Sequence, residues 1–120
     1  MHPAEELKNR SKQFAIRIVK LFRLLPRTEE ARIIGRQMLR SGTSVAANYR
    51  AVCRSRSKAK FIAEIGIVVE EADETVLWLE LLVGTDIIAQ KRMTGLLAEA
   101  NELLAIFAAS QYTARSKRVH

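Results

Sequence analysis

Apolar residues return along this chain in alternating steps of three and four. In the first segment Leu7, Ser11, Phe14, Ile18, Leu21 and Leu25 step 4-3-4-3-4, a heptad seam with one polar lapse at Ser11. The spacing predicts a helix over about residues 5–25. Pro26 ends it, because the residue before a proline is pushed away from helical angles. Thr28 followed by Glu29 and Glu30 reads as an N-cap with acids placed on the positive end of the helix dipole. A second helix follows over about 29–54, with Ile34, Met38, Ser41, Val45, Asn48 and Val52 as its inward stripe. Gly42 lies inside it at a cost of ~1 kcal/mol relative to Ala, which predicts a kink or a close helix contact there rather than a break.

Ser57 is the N-cap of a third helix over about 58–83, whose seam is Phe61, Ile65, Val68, Ala72, Thr75, Leu79 and Leu82. Ile62, Ile67, Val69, Val76, Trp78, Leu81 and Val83 lie off that seam. A helix apolar on several faces is buried on several faces. It is therefore a central helix or one side of a subunit interface, with Ile67, Trp78 and Leu81 as the interface candidates. Gly84 is suited to a left-handed cap position. The fourth helix, about 90–112, carries Met93, Leu96, Ala100, Leu103 and Phe107, and the basic segment 114–120 has no seam and reads as a disordered tail. Four helices with short connectors predict an all-α, antiparallel up-down-up-down four-helix bundle in a single domain over 1–113.

Length agrees with this picture. A chain of 120 residues can bury roughly two-thirds of its unfolded surface in one core. No apolar run approaches the ~20 residues a bilayer span needs, the N-terminal stretch is too polar for a signal peptide, and the lone Cys53 cannot close an intramolecular disulfide. A reducing cytoplasm is the expected location.

Charge changes the picture more. Residues 1–60 hold 15 Lys/Arg and 4 Asp/Glu, a net of +11, while residues 61–120 hold 5 and 9, a net of −4, giving the +7 of the whole chain. Such asymmetry points to a polyanionic partner for one half, or to pairing between the halves. Arg50, Arg54, Arg56, Lys58 and Lys60 crowd the corner between the second and third helices. Arg17, Lys20, Arg23, Arg27, Arg32 and Arg36 ring the opposite end. Cations that neutralise phosphates give salt-sensitive, sequence-independent affinity, so the first cluster is the candidate nucleic-acid surface, for RNA or DNA. A solvated face kept basic for solubility is the other reading. The few aromatic residues, Phe14, Phe22, Phe61, Phe107 and Trp78, all have core-like spacing.

The remaining candidates are polar residues of the second and third helices. Asn48, with Ser44 and Arg40 at one-turn spacing before it, is either a polar site inside the bundle or a register-fixing hydrogen bond. Glu70, Glu71, Asp73 and Glu74 invite comparison with di-iron bundles. The only histidines, however, are the terminal His2 and His120, and the acids cluster on one helix. One or two of these four acids are better placed to face Arg40 or Arg50 across the helix contact, and Glu71 and Glu74 are counted with Arg40, Ser44 and Asn48 as structural polar residues. Cys53 sits among Arg50, Arg54 and Arg56, which could lower its pKa; otherwise it fills a helix face. No phosphate-cradling glycine loop is present. Catalytic residues, metal and cofactor are not expected.

The stretch Leu39-Arg40-Ser41-Gly42-Thr43-Ser44-Val45-Ala46-Ala47-Asn48-Tyr49-Arg50, with Ser57-Lys58-Ala59-Lys60-Phe61, Glu71-Ala72-Asp73-Glu74-Thr75 and Trp78-Leu79-Glu80-Leu81-Leu82, resembles the bacterial four-helix bundle proteins. Some of these are encoded in intervening sequences of large-subunit ribosomal RNA genes. Many members carry Asn-Ile-Ala-Glu-Gly where this chain has Asn48-Tyr49-Arg50-Ala51-Val52, so Ala51 replaces an acid common at that position. The resemblance implies an antiparallel four-helix bundle that assembles as a homopentamer, with no known enzymatic activity. Related accessory proteins of diversity-generating retroelements imply a basic outer surface that binds nucleic acid and a reverse transcriptase. A protein-interaction scaffold without nucleic-acid contact is the alternative.

Overall fold

The computed structural model describes residues 3–117, which form four helices: α1 (Pro3–Leu24), α2 (Glu29–Val52), α3 (Lys58–Gly84) and α4 (Gln90–Lys117). The heptad seams become the core. Phe14, Ile18 and Leu21 of α1, Met38, Val45 and Val52 of α2, Ile65, Val68, Ala72, Leu79 and Leu82 of α3, and the full α4 series from Met93 to Phe107 are buried together. Ser11, the lapse in the first seam, is fully buried, and its hydroxyl donates to the Lys8 carbonyl at 3.0 Å. Burying an unpaired hydroxyl would cost about 1–3 kcal/mol, which this local bond offsets.

Helix α1 runs antiparallel to α2 and to α4, as the cross-contacts show. Gly35 of α2 lies beside Phe22 and Leu25 of α1, whereas Gly42 lies beside Ile18. Likewise Arg10 of α1 meets Glu99 and Glu102 of α4, whereas Arg17 approaches Gly95. The rod measures 51 × 26 × 22 Å. At Gly42 an added Cβ would stand 2.9 Å from Ile18 Cγ1, and at Gly35 2.7 Å from Leu25 Cδ1. The helix continues unbroken through both positions. Gly42 thus makes a close contact, and α1 rests against α2 where no side chain intervenes.

Three expectations are corrected. Asn48 does not occupy the inward stripe. It is half-buried, and its Nδ2 donates to the Ser44 carbonyl of its own helix at 2.9 Å. Tyr49 is buried instead, with its ring 5.2 Å from that of Phe107. A helix of 3.6 residues per turn drifts off a strict heptad, so the stripe passes from Val45 to Tyr49 before reaching Val52. The buried cross-helix hydrogen bond belongs to another pair: Thr75 Oγ1 lies 2.9 Å from Ser41 Oγ, with both residues fully buried.

Second, the left-handed residue after α3 is Asp86 (φ 61°), and no glycine of the described residues has positive φ. Gly84 is still helical. Asp86 N–H donates to the Val83 carbonyl and Ile87 N–H to that of Leu82, both at 3.0 Å. This is a Schellman closure with Ile87 packing back toward Leu82, and Asp is among the few side chains that enter this region routinely. Third, Ala114–Lys117 continue α4 instead of starting a tail. Ala114 is half-buried and borders, with Phe61 and Lys58, a shallow depression at the start of α3, so the last turn has something to rest on. Residues 118–120 of the expected tail lie outside the described residues.

Two measurements check these points. Replacing Asp86 with Gly should raise stability by about 0.5–1 kcal/mol in urea unfolding, because the left-handed strain disappears. Burial, with a smaller contribution from the Cys53 side chain, pushes the Tyr49 phenol up to about 12 from its ordinary 10.0. The unfolded chain therefore releases this proton first. Its contribution to stability is complete below about pH 10 and is lost as pH rises toward about 12. Tyr49→Phe should remove roughly 1–2 kcal/mol of that alkaline loss.

Candidate nucleic-acid interface

The α2–α3 connection is built by capping. Cys53 closes α2 with its N–H on the Tyr49 carbonyl at 3.0 Å, and Arg54 N–H and Ser55 N–H donate to the Ala51 and Val52 carbonyls. Ser57 caps α3, its hydroxyl accepting from Lys60 N–H at 3.1 Å. With backbone donors satisfied inside the turn, Arg50, Arg54, Arg56, Lys58 and Lys60 all extend from the corner and are exposed. Lys60 stands 3.9 Å from Glu64. The other four have no ion-pair partner among the described residues. Cys53 is exposed, so it does not fill a helix face. The extension of α4 brings exposed Arg115 to this same end, an addition hidden from sequence reasoning by the missing seam.

Four of the acids are engaged away from this corner, while Glu70 and Asp73 are exposed. Arg40 bridges Glu71 at 3.1 Å and Glu74 at 2.6 Å across α2 and α3. Arg10 holds Glu99 at 2.7 Å and Glu102 at 3.0 Å across α1 and α4. Hydrogen bonding to Glu99 above all raises the Arg10 pKa, against the opposing effect of burial. Of the two arginines considered for the acids of α3, Arg40 takes both and Arg50 neither. Both bridges sit along the middle of the rod. The cations left over gather at its two ends, since Arg17, Lys20, Arg23, Arg27, Arg32 and Arg36 are exposed near the α1–α2 turn without ion-pair partners among the described residues.

On α3, Ile67 is 45% and Leu77 47% exposed, while Trp78 and Leu81 are half-buried. The Trp78 indole N–H has no hydrogen-bond partner. Leu77 was absent from the expected interface. It belongs to the outward face because it lies three and four residues from Leu81, Glu74 and Asp73, on the side away from buried Leu79. Among the described residues no group of three His, Cys, Asp or Glu side chains could hold a metal. No helix of the described residues is long and apolar enough to cross a membrane.

The 23S rRNA-intervening sequence protein family matches residues 5–109. The chain belongs to this family. A solved structure is similar throughout: a protein of unknown function from the S23 ribosomal protein family of Bacteroides thetaiotaomicron, 34% identical, with a TM-score of 0.81 over 88% of this chain and 97% of that one. Among curated proteins none matches. The family match reaches Ala109 and thus includes the first basic corner, both bridges and the α1–α2 turn, but ends before Arg115.

The Arg40 bridge yields a quantitative expectation. The Arg40 side chain is 48% and that of Glu71 16% exposed, so solvent screening limits the pair. A double-mutant cycle with Arg40→Ala and Glu71→Ala in chemical denaturation should give a coupling of about 0.5–1 kcal/mol. The same cycle with Arg50→Ala should give none.

Proposed function

We propose that this protein is a non-enzymatic, self-associating member of its family that binds RNA through a basic outer surface centred on Arg50, Arg54, Arg56, Lys58 and Lys60. The observation that carries the reading is the sorting of charge. Glu71, Glu74, Glu99 and Glu102 along the middle of the rod are engaged with Arg40 and Arg10, while the clustered cations of the two ends, Lys60 beside Glu64 excepted, have no ion-pair partner among the described residues. Stability does not require that arrangement, because unpaired exposed cations repel one another. It does suit a phosphate backbone, where each neutralised phosphate releases counterions. The contact is one of backbone and shape rather than base-edge readout.

Self-association is supported by the exposed apolar side chains Ile67 and Leu77 on α3, with half-buried Trp78 next to Leu77. A ring of copies, five if the wider family's habit holds, would multiply a modest basic patch through effective concentration. The same apolar face favours a second reading, in which the protein is a scaffold for a nucleic-acid enzyme such as a reverse transcriptase and makes no RNA contact of its own.

A filter-binding titration against salt, run beside light scattering, separates the two. RNA binding should fall linearly in log affinity against log salt. Charge reversal of Arg54, Arg56, Lys58 and Lys60 together should abolish it at physiological salt while circular dichroism stays unchanged. A stable oligomer with no RNA affinity at that salt would select the scaffold.

A further inference from the structure

The second basic cluster is not a flat face. Where α1 turns into α2, a cavity of about 440 Å³ opens between the end of one helix and the first turns of the next. That is within the range of small-ligand sites, roughly 300–1,000 Å³. Its rim carries Arg23, Arg27, Arg32 and Arg36, and its apolar wall is formed by Phe22 and Pro26. Arg32 and Arg36 lie one turn apart on the same face of α2. Glu29 and Glu30 are exposed nearby but do not line the cavity, and none of the four arginines has an ion-pair partner among the described residues.

The floor follows from Gly35. Two carbons of the Phe22 ring stand 3.3 Å from where a Cβ of Gly35 would be, and Leu25 Cδ1 stands 2.7 Å from it. The glycine leaves room for both side chains against α2, and both line the recess with the arginines. An apolar ring beside four guanidinium groups is chemistry for a group that is both flat and anionic. Guanidinium planes stack on bases and also fork onto phosphate oxygens, and aromatic side chains stack bases with little regard to sequence.

We infer that this recess holds one nucleotide of a single-stranded RNA, its base against Phe22 and Pro26 and its flanking phosphates on Arg27, Arg32 and Arg36. The inference rests on the reading of the protein as RNA-binding, and it adds a place where a splayed base is gripped. A duplex keeps its bases stacked inside and has none to offer such a recess.

The test compares two labelled probes of equal charge, a ten-nucleotide uridine RNA and a ten-unit strand of the same backbone without bases. Binding is followed by fluorescence anisotropy on the full chain. The uridine strand should bind wild type roughly tenfold more tightly than the abasic strand. In Arg32→Ala/Arg36→Ala that preference should vanish and the salt slope should fall by about 2. Both side chains are exposed, so the fold is kept, and circular dichroism verifies it. Reversal of Arg54 and Arg56 should lower the affinity for both strands and leave the preference intact. Equal binding of the two strands by wild type would overturn the recess as a base site while leaving RNA binding through the basic surface standing. Failure of both strands to bind at physiological salt would overturn that reading and the recess with it.

Discussion

The close approach of α1 to α2 at Gly35 and Gly42 is the constraint from which much of this structure follows. A Cβ at Gly42 would crowd three carbons of Ile18 at 2.9 to 3.3 Å, so Ile18 would have to give way, whereas at Gly35 the nearest atom is the flexible tip of Leu25. That contact brings Ile18 fully into the core beside Met38 and Val45. It also seats Phe22 and Leu25 at the foot of the α1–α2 turn and shapes the recess beneath Arg23, Arg27, Arg32 and Arg36. The conformational cost of two glycines in a helix, about 1 kcal/mol each, is offset by apolar burial along the whole seam.

Once the helices are packed, charge is distributed by geometry. Among the described residues Arg40 and Arg10 are the two guanidinium groups that reach acids across a helix contact, and each engages two carboxylates. Partial exposure keeps these bridges modest in energy. Their larger consequence is electrostatic: they consume acidic charge in the middle of the rod and leave the ends basic. The basic ends are where the proposed contacts with RNA lie.

Much of the fold could be read from the chain. The 4-3-4-3-4 seam of α1 and the matching seam of α4 became buried residues almost one for one. The caps at Thr28 and Ser57 hold the N–H groups of Ala31 and Lys60. The misreadings share a cause, namely that a one-dimensional pattern has no knowledge of what lies opposite. Asn48 was assigned inward by a heptad rule that the real helix outruns by one residue. The left-handed turn fell to Asp86, because the hydrogen bonds that close α3 needed the bend two residues beyond Gly84. Arg115 was set in a tail, since nothing in its own segment shows that Ala114 rests near the start of α3.

The sequence by itself determined that there would be four helices, where three of them begin, most of the seam residues, and that one half of the chain is strongly basic. Periodicity and capping are local properties, and charge is additive, so none of these needs a neighbour. Tertiary structure alone decided that Arg40 rather than Arg50 takes Glu71 and Glu74, that Ser41 meets Thr75, and that four arginines surround a recess instead of scattering over a face. Each of those depends on the rotation and spacing of one helix against another, which is fixed only when all the seams are packed at once.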